Sequence, residues 1–314
     1  MNTKISRLGQ KSIRENWIIW TFLEASSRTG AKLLQKVIGK LSANFVQTFY
    51  ATLFVGLTQV VFSFLALKIR KKKFTGDWKN ILGACSFGFF ATINTVVPFS
   101  VFLLDGDIGI NTFIATLAII PGVLIDRLFF KHKLSLINWL GIFVAIFAGY
   151  SILGWPNLKE FISLPLWIWL SFVSAIMVAI NQGITRKIKQ MDPWLKNFWG
   201  GGVTFILAAI GLLYFHSLNL LTTFSAPMIK LAWISCIAGI FVIGIWSFNL
   251  LGFKKGAAIA IKNVVMNGFF LISSMGLGIV IFNEPFTLSK IISIPFYLIA
   301  FILLNRETNH KPSS

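Results

Sequence analysis

The chain has 314 residues, of which 56% are hydrophobic and only 12% charged, with a mean hydropathy of +0.77. Ordinary soluble domains carry about 45–50% apolar and about 25% charged residues, so a cytosolic enzyme, a disordered chain and a disulfide scaffold are excluded. Lys and Arg number 29 against 10 Asp and Glu, a net charge of +19 whose meaning depends on where the charges sit.

The N-terminus carries Lys4, Arg7, Lys11 and Arg14 ahead of an apolar run that opens at Trp17. Glu24, Arg28 and Lys32 interrupt that run, and no small-residue cleavage site follows, so it reads as part of the mature chain. Ten apolar segments are predicted: 17–37, 44–67, 80–104, 109–130, 136–154, 165–188, 194–215, 228–250, 257–282 and 286–304. A bilayer helix needs about 20 mainly apolar residues, which these segments approach or exceed. Turn signals separate them, including Asp105-Gly106-Asp107, Gly154-Trp155-Pro156-Asn157 and Asp192-Pro193. The expected fold class is all-α, a polytopic membrane protein of ten transmembrane helices without a soluble domain.

With a cytoplasmic N-terminus, 21 Lys and Arg fall on the cytoplasmic side and five, Lys36, Lys40, Lys159, Lys230 and Lys290, on the other. Three remain inside spans: Arg28, Lys32 and Lys262. Basic residues resist translocation, so this split fits a membrane topology with both termini cytoplasmic. The charge is spread over six segments, and none has the aromatic interleaving of a nucleic-acid platform. The lipid bilayer and a small-molecule substrate are the expected partners, nucleic acid is not, and pairing into a homodimer stays open. Cys85 and Cys236 lie in apolar runs without metal-ligand spacing. No cofactor or metal site is predicted.

The chain also repeats. Trp17-Ile18 with Thr21-Phe22 aligns with Trp167-Ile168 and Ser171-Phe172 at a shift of 150. At that shift Ala25 meets Ala175, and Lys36 meets Arg186. Lys133-Leu134-Ser135-Leu136 resembles Pro285-Phe286-Thr287-Leu288 at a shift of 152. Two five-helix repeats, 1–154 and 155–314, are expected. Five is odd, so the second copy enters the membrane inverted, an architecture of secondary transporters.

On these residues the sequence resembles the drug/metabolite transporter superfamily and, within it, the EamA-like ten-span carriers, over nearly its whole length. Phe282-Asn283-Glu284-Pro285-Phe286-Thr287 matches the turn closing the family's second half. The first half offers Ile120-Pro121-Gly122, then Lys131-His132-Lys133-Leu134-Ser135, Trp139-Leu140-Gly141 and Ala148-Gly149, with His132 where an acidic residue is usual. The second half lacks the proline in its ninth span. The resemblance implies a carrier in a bacterial cytoplasmic membrane, usually an exporter of small metabolites, with the third, fourth, eighth and ninth spans around a cavity. It leaves the substrate open. Glu284, next to Pro285 at a span boundary, is expected to serve as a cap or turn residue at the start of its helix.

Charges within spans mark candidate sites, because each costs roughly 2.5–3.5 kcal/mol at the centre of a membrane helix. Glu24, Arg28 and Lys32 recur every four residues and form one stripe, advancing about 40° and 6 Å per step. The stripe should face the protein interior, either as a self-satisfied Glu24–Arg28 pair or as a substrate-binding wall. Lys262, beside Asn263 and with Asn267 nearby, either snorkels to the interface or joins the cavity. Asn94 in the third span and Asn181 in the sixth are further candidates, although interhelical hydrogen bonds account for such residues equally well. Three cations and one carboxylate favour an anionic or zwitterionic solute. Asp126-Arg127 is expected to be an interfacial pair. A lipid-modifying enzyme and a non-transporting scaffold are the alternative functions. The three histidines are far apart in sequence, and Asp105 and Asp107 read as a turn.

Overall fold

The computed structural model describes residues 17–122, 124, 135–215, 217, 225–255 and 259–305. Asp126, Arg127 and the three histidines lie outside these residues, as does the N-terminal basic group. The described chain is helical, without strands. Its helices are α1 (Trp17–Leu41), α2 (Phe45–Ile69), α3 (Trp78–Leu103), α4 (Ile108–Thr116), α5 (Leu136–Ile152), the short α6 (Leu158–Ile162), α7 (Leu166–Lys187), α8 (Pro193–Tyr214), α9 (Ala226–Lys254), α10 (Ile259–Phe282) and α11 (Leu288–Asn305).

Six of them, α2, α3, α7, α8, α9 and α10, are long and apolar enough to cross a membrane. The helices α4, α5 and α11 are apolar but shorter. The 25-residue α1 has the length but carries Glu24, Arg28, Lys32, Lys36 and Lys40. Large apolar side chains such as Phe62, Leu65, Phe143, Ile206, Trp233 and Val280 point outward, as expected of surfaces solvated by lipid. The chain is an integral membrane protein by these criteria.

Helix starts follow local chemistry. The Asp107 carboxylate caps α4 by accepting from Ile110 N at 2.8 Å. Ser135 and Asn138 form a reciprocal capping box on α5, as do Asn157 and Glu160 on α6. Asp192 caps α8, with Pro193 in the first turn, where the lost N–H costs nothing.

The most extensive packing joins α2 to α8, α5 to α11, α1 to α9, and α3 to α7. Next come α3 with α8, α2 with α9, α1 with α10, and α1 with α3. One apolar cluster, including Tyr50, Val55, Phe87, Leu212, Leu231 and Trp246, fills the space among α2, α3, α8 and α9. A second, including Phe113, Ala145, Leu271, Tyr297 and Phe301, binds α4, α5, α10 and α11. The charged helix α1 lies between these groups, touching α9, α10, α3 and α4.

Candidate functional site

The α1 stripe turns inward. Glu24 and Lys32 are buried, while Phe22 and Leu23 on the opposite side of the helix are exposed. Arg28 donates to Glu24 Oε1 from Nε at 3.0 Å and from Nη2 at 2.7 Å. Lys262 Nζ lies 2.6 Å from Glu24 Oε2, and Asn249 Nδ2 donates to Oε1 at 2.8 Å. Lys262 therefore does not snorkel: it is fully buried, pairs with Glu24 and sits 4.3 Å from the centre of the Phe253 ring. Glu24 is the shared anion that ties α1 to α9 and α10.

Arg28 and Lys32 border a cavity of about 110 Å³. Its wall on α1 is Arg28, Ala31, Lys32 and Gln35, and on α7 it includes Val178, Asn181, Gln182 and Thr185. These two sets coincide at a shift of 150 residues. On α3 the wall includes Ala91, Asn94, Thr95 and Pro98, and on α9 it is Val242, Ile245, Trp246 and Asn249. Those sets coincide at a shift of 151. Each set follows i, i+3, i+4, i+7, one face of a helix. The α8 helix adds Lys196, and Ser174 donates to Asn94 Oδ1 at 2.7 Å across the wall.

Four candidates read from the sequence, Arg28, Lys32, Asn94 and Asn181, thus meet at one cavity. Glu24 and Lys262 stand behind it and hold Arg28 and Asn249 in place. Asn267 is buried but is not in the wall. The Asn263 side chain lies outside the described residues.

Three lysines differ from their expected surface placement. Lys196 is buried, with Nζ donating to Thr185 Oγ1 at 2.9 Å and lying 3.9 Å from the centre of the Phe87 ring. Lys36 and Lys290 are buried in a second ionic network at the α1–α2 end of the molecule. There Lys36 pairs with Glu284, and Lys290 pairs with Asp107 at 2.7 Å. Glu284 does not cap its own helix, because α11 begins only at Leu288. Asn283, at φ 53°, turns the chain, and Glu284 accepts from Ile108 N at 2.7 Å and Gly109 N at 3.3 Å. The carboxylate therefore serves the N-terminus of α4. Hydropathy places each of these lysines at the end of an apolar run; only tertiary packing reveals their burial.

Among the described residues, no three His, Cys, Asp or Glu side chains group to hold a metal ion. No protein-family model and no curated protein matches the chain. A solved structure described only as "Crystal structure of protein" covers 93% of this chain and 98% of that one, with a TM-score of 0.62 and 14% identity. That likeness concerns the fold alone.

Proposed function

We propose that this chain is a secondary transporter of the drug/metabolite type, built from two inverted five-helix copies, which moves a small anionic or zwitterionic metabolite by alternating access. The observation that carries the reading is the recurrence of cavity positions: 28, 31, 32 and 35 against 178, 181, 182 and 185, and 91, 94, 95 and 98 against 242, 245, 246 and 249. A solute there would touch equivalent faces of both copies, the arrangement in which one copy can rock against the other around a fixed site.

The packing supports the same reading. If α1, α2, α3, α4 and α5 correspond to α7, α8, α9, α10 and α11, exchange of the halves turns the α1–α9 contact into α7–α3. It turns α3–α8 into α9–α2, and α1–α10 into α7–α4, while α2–α8 and α5–α11 map onto themselves. In this reading ten segments cross the bilayer, and the shorter α4, α5 and α11 do so where it is locally thinned. The Lys36 network faces the non-cytoplasmic side and the Lys72–Asp192 pair the cytoplasm. Arg28 and Lys32 on the wall favour a carboxylate or phosphate.

Flux of labelled amino acids, organic acids and phosphorylated metabolites into proteoliposomes tests the proposal. Saturable uptake that Arg28→Ala reduces about tenfold or more is expected. Equal leakage with and without protein would leave a scaffold as the better description, and turnover of a lipid headgroup would favour an enzyme.

A further inference from the structure

The buried and part-buried cations of α1, α8, α10 and α11 divide into two classes. Arg28 and Lys262 share Glu24, while Lys36 and Lys290 are paired with Glu284 and Asp107. Lys32 and Lys196 have no carboxylate partner among the described residues, although both are at least nine-tenths buried. Lys32 Nζ donates to Asn111 Oδ1 at 2.7 Å, and Lys196 Nζ to Thr185 Oγ1 at 2.9 Å. Each ammonium has three N–H donors, so each keeps donors beyond the one bond to a neutral oxygen. Both border the same cavity, one from each half of the chain.

The charges differ accordingly between the two networks. Lys36 and Lys290 against Glu284 and Asp107 are neutral as a set. Around the cavity four basic side chains, Arg28, Lys262, Lys32 and Lys196, are set against the single carboxylate of Glu24, a formal excess of three basic groups. An uncompensated buried charge is strongly unfavourable, and a zwitterion, with no net charge, does not reduce this excess. Two acceptors also stand without protein partners in the wall, Gln35 Oε1 and Asn181 Oδ1. They suit a hydroxyl on the solute.

We infer that the cavity binds a small organic dianion, such as a hydroxylated dicarboxylate or a phosphate monoester, with Lys32 and Lys196 as the charges that neutralise it. This inference deepens the carrier reading and rests on the cavity being its solute site. Arg28 is already engaged by Glu24, so the two lysines contribute the charge a ligand can claim.

The test uses the full chain in nanodiscs and sealed proteoliposomes, with labelled L-malate, glycerol 3-phosphate and L-serine. Expected is binding of one or both dianions, with L-serine at least about tenfold weaker. Lys32→Met and Lys196→Met should each weaken dianion binding about tenfold or more, and Lys196→Arg should retain most of it. Ligand-free Lys32→Met and Lys196→Met should still fold and melt near the parent, because each loses one hydrogen bond to a neutral oxygen but leaves no carboxylate unpaired; should a Met variant not fold, the Gln variants are read in the same way. Absence of dianion binding, or binding indifferent to both lysines, overturns the inference. If L-serine is then still moved across the vesicle membrane, the carrier reading survives that loss. Dianion binding without flux of any solute keeps the inference and removes the carrier.

Discussion

Lys36 and Glu284 lie 248 residues apart and form a buried ion pair that joins α1 to the turn between α10 and α11. Glu284 also receives the first two N–H groups of α4, so one carboxylate binds three separate segments. Glu284→Gln removes the charge and leaves Lys36 without its counter-ion. A loss of about 3–5 kcal/mol is expected. Adding Lys36→Met should recover part of it, since the stranded cation is then gone. Thermal unfolding in detergent provides the double-mutant cycle, and strictly additive losses would contradict the pairing.

Glu24 leads to an ordering rather than a single value. It is shared by Arg28, Lys262 and Asn249. Glu24→Gln strands two cations, whereas Lys262→Met leaves the carboxylate with Arg28. The first substitution should therefore destabilise more than the second, by roughly 1–3 kcal/mol. Melting curves of the two variants in one detergent decide it; the reverse order would show that Glu24 is held mainly by other groups.

Close helix contact sets a third expectation. A Cβ built on Gly88 of α3 would meet the backbone oxygen of Gly200 on α8 at 2.5 Å. Backbone atoms cannot yield as a side chain can, so Gly88→Val should separate α3 from α8 and cost roughly 1–3 kcal/mol. Gly276 in α10 has nothing within 4 Å of the same position. Gly276→Val is the matched control and should be close to neutral. Equal melting temperatures for the two variants would mean that the α3–α8 approach is looser than described.

The α1 stripe was readable because its chemistry is local: charges four residues apart on a helix share a face whatever surrounds them. Asn94 and Asn181 were readable as polar groups within apolar runs, but the sequence gives no sign that Asn267 stays out of the cavity wall. Lys196, Lys36 and Lys290 could not be recognised in this way. A lysine at the end of an apolar segment has the same sequence signature in water as against Phe87 or Glu284. Burial of that kind is decided by helices distant in sequence. The turn at Glu284 is legible in its Asn283-Glu284-Pro285 neighbourhood, but its service to α4 is not, since a cap supplied across 176 residues has no local signature.

The far end of the molecule supplies a pH test. Lys72, beyond the end of α2, pairs with Asp192, the cap of α8. Lys36 sits close to the α1–α2 turn, so the 25 residues of α2, about 37 Å long, separate these two ends. Burial pushes the Asp192 carboxyl up, but the Lys72 ammonium, the Trp194 N–H and the nearby Lys254 outweigh it and hold it below the ordinary aspartate range. A lowered carboxylate contributes stability that is fully present above the unfolded value and is lost as the pH falls through the folded one. The parent should therefore lose part of its stability on acidification below about pH 4, and Asp192→Asn should lose less over the same interval. Lys72 is half-exposed, so the difference should shrink when salt is raised. Unfolding midpoints in detergent between neutral and acid pH, at low and high salt, measure both effects. Parallel curves for parent and variant would mean that the Lys72–Asp192 pair does not form in solution.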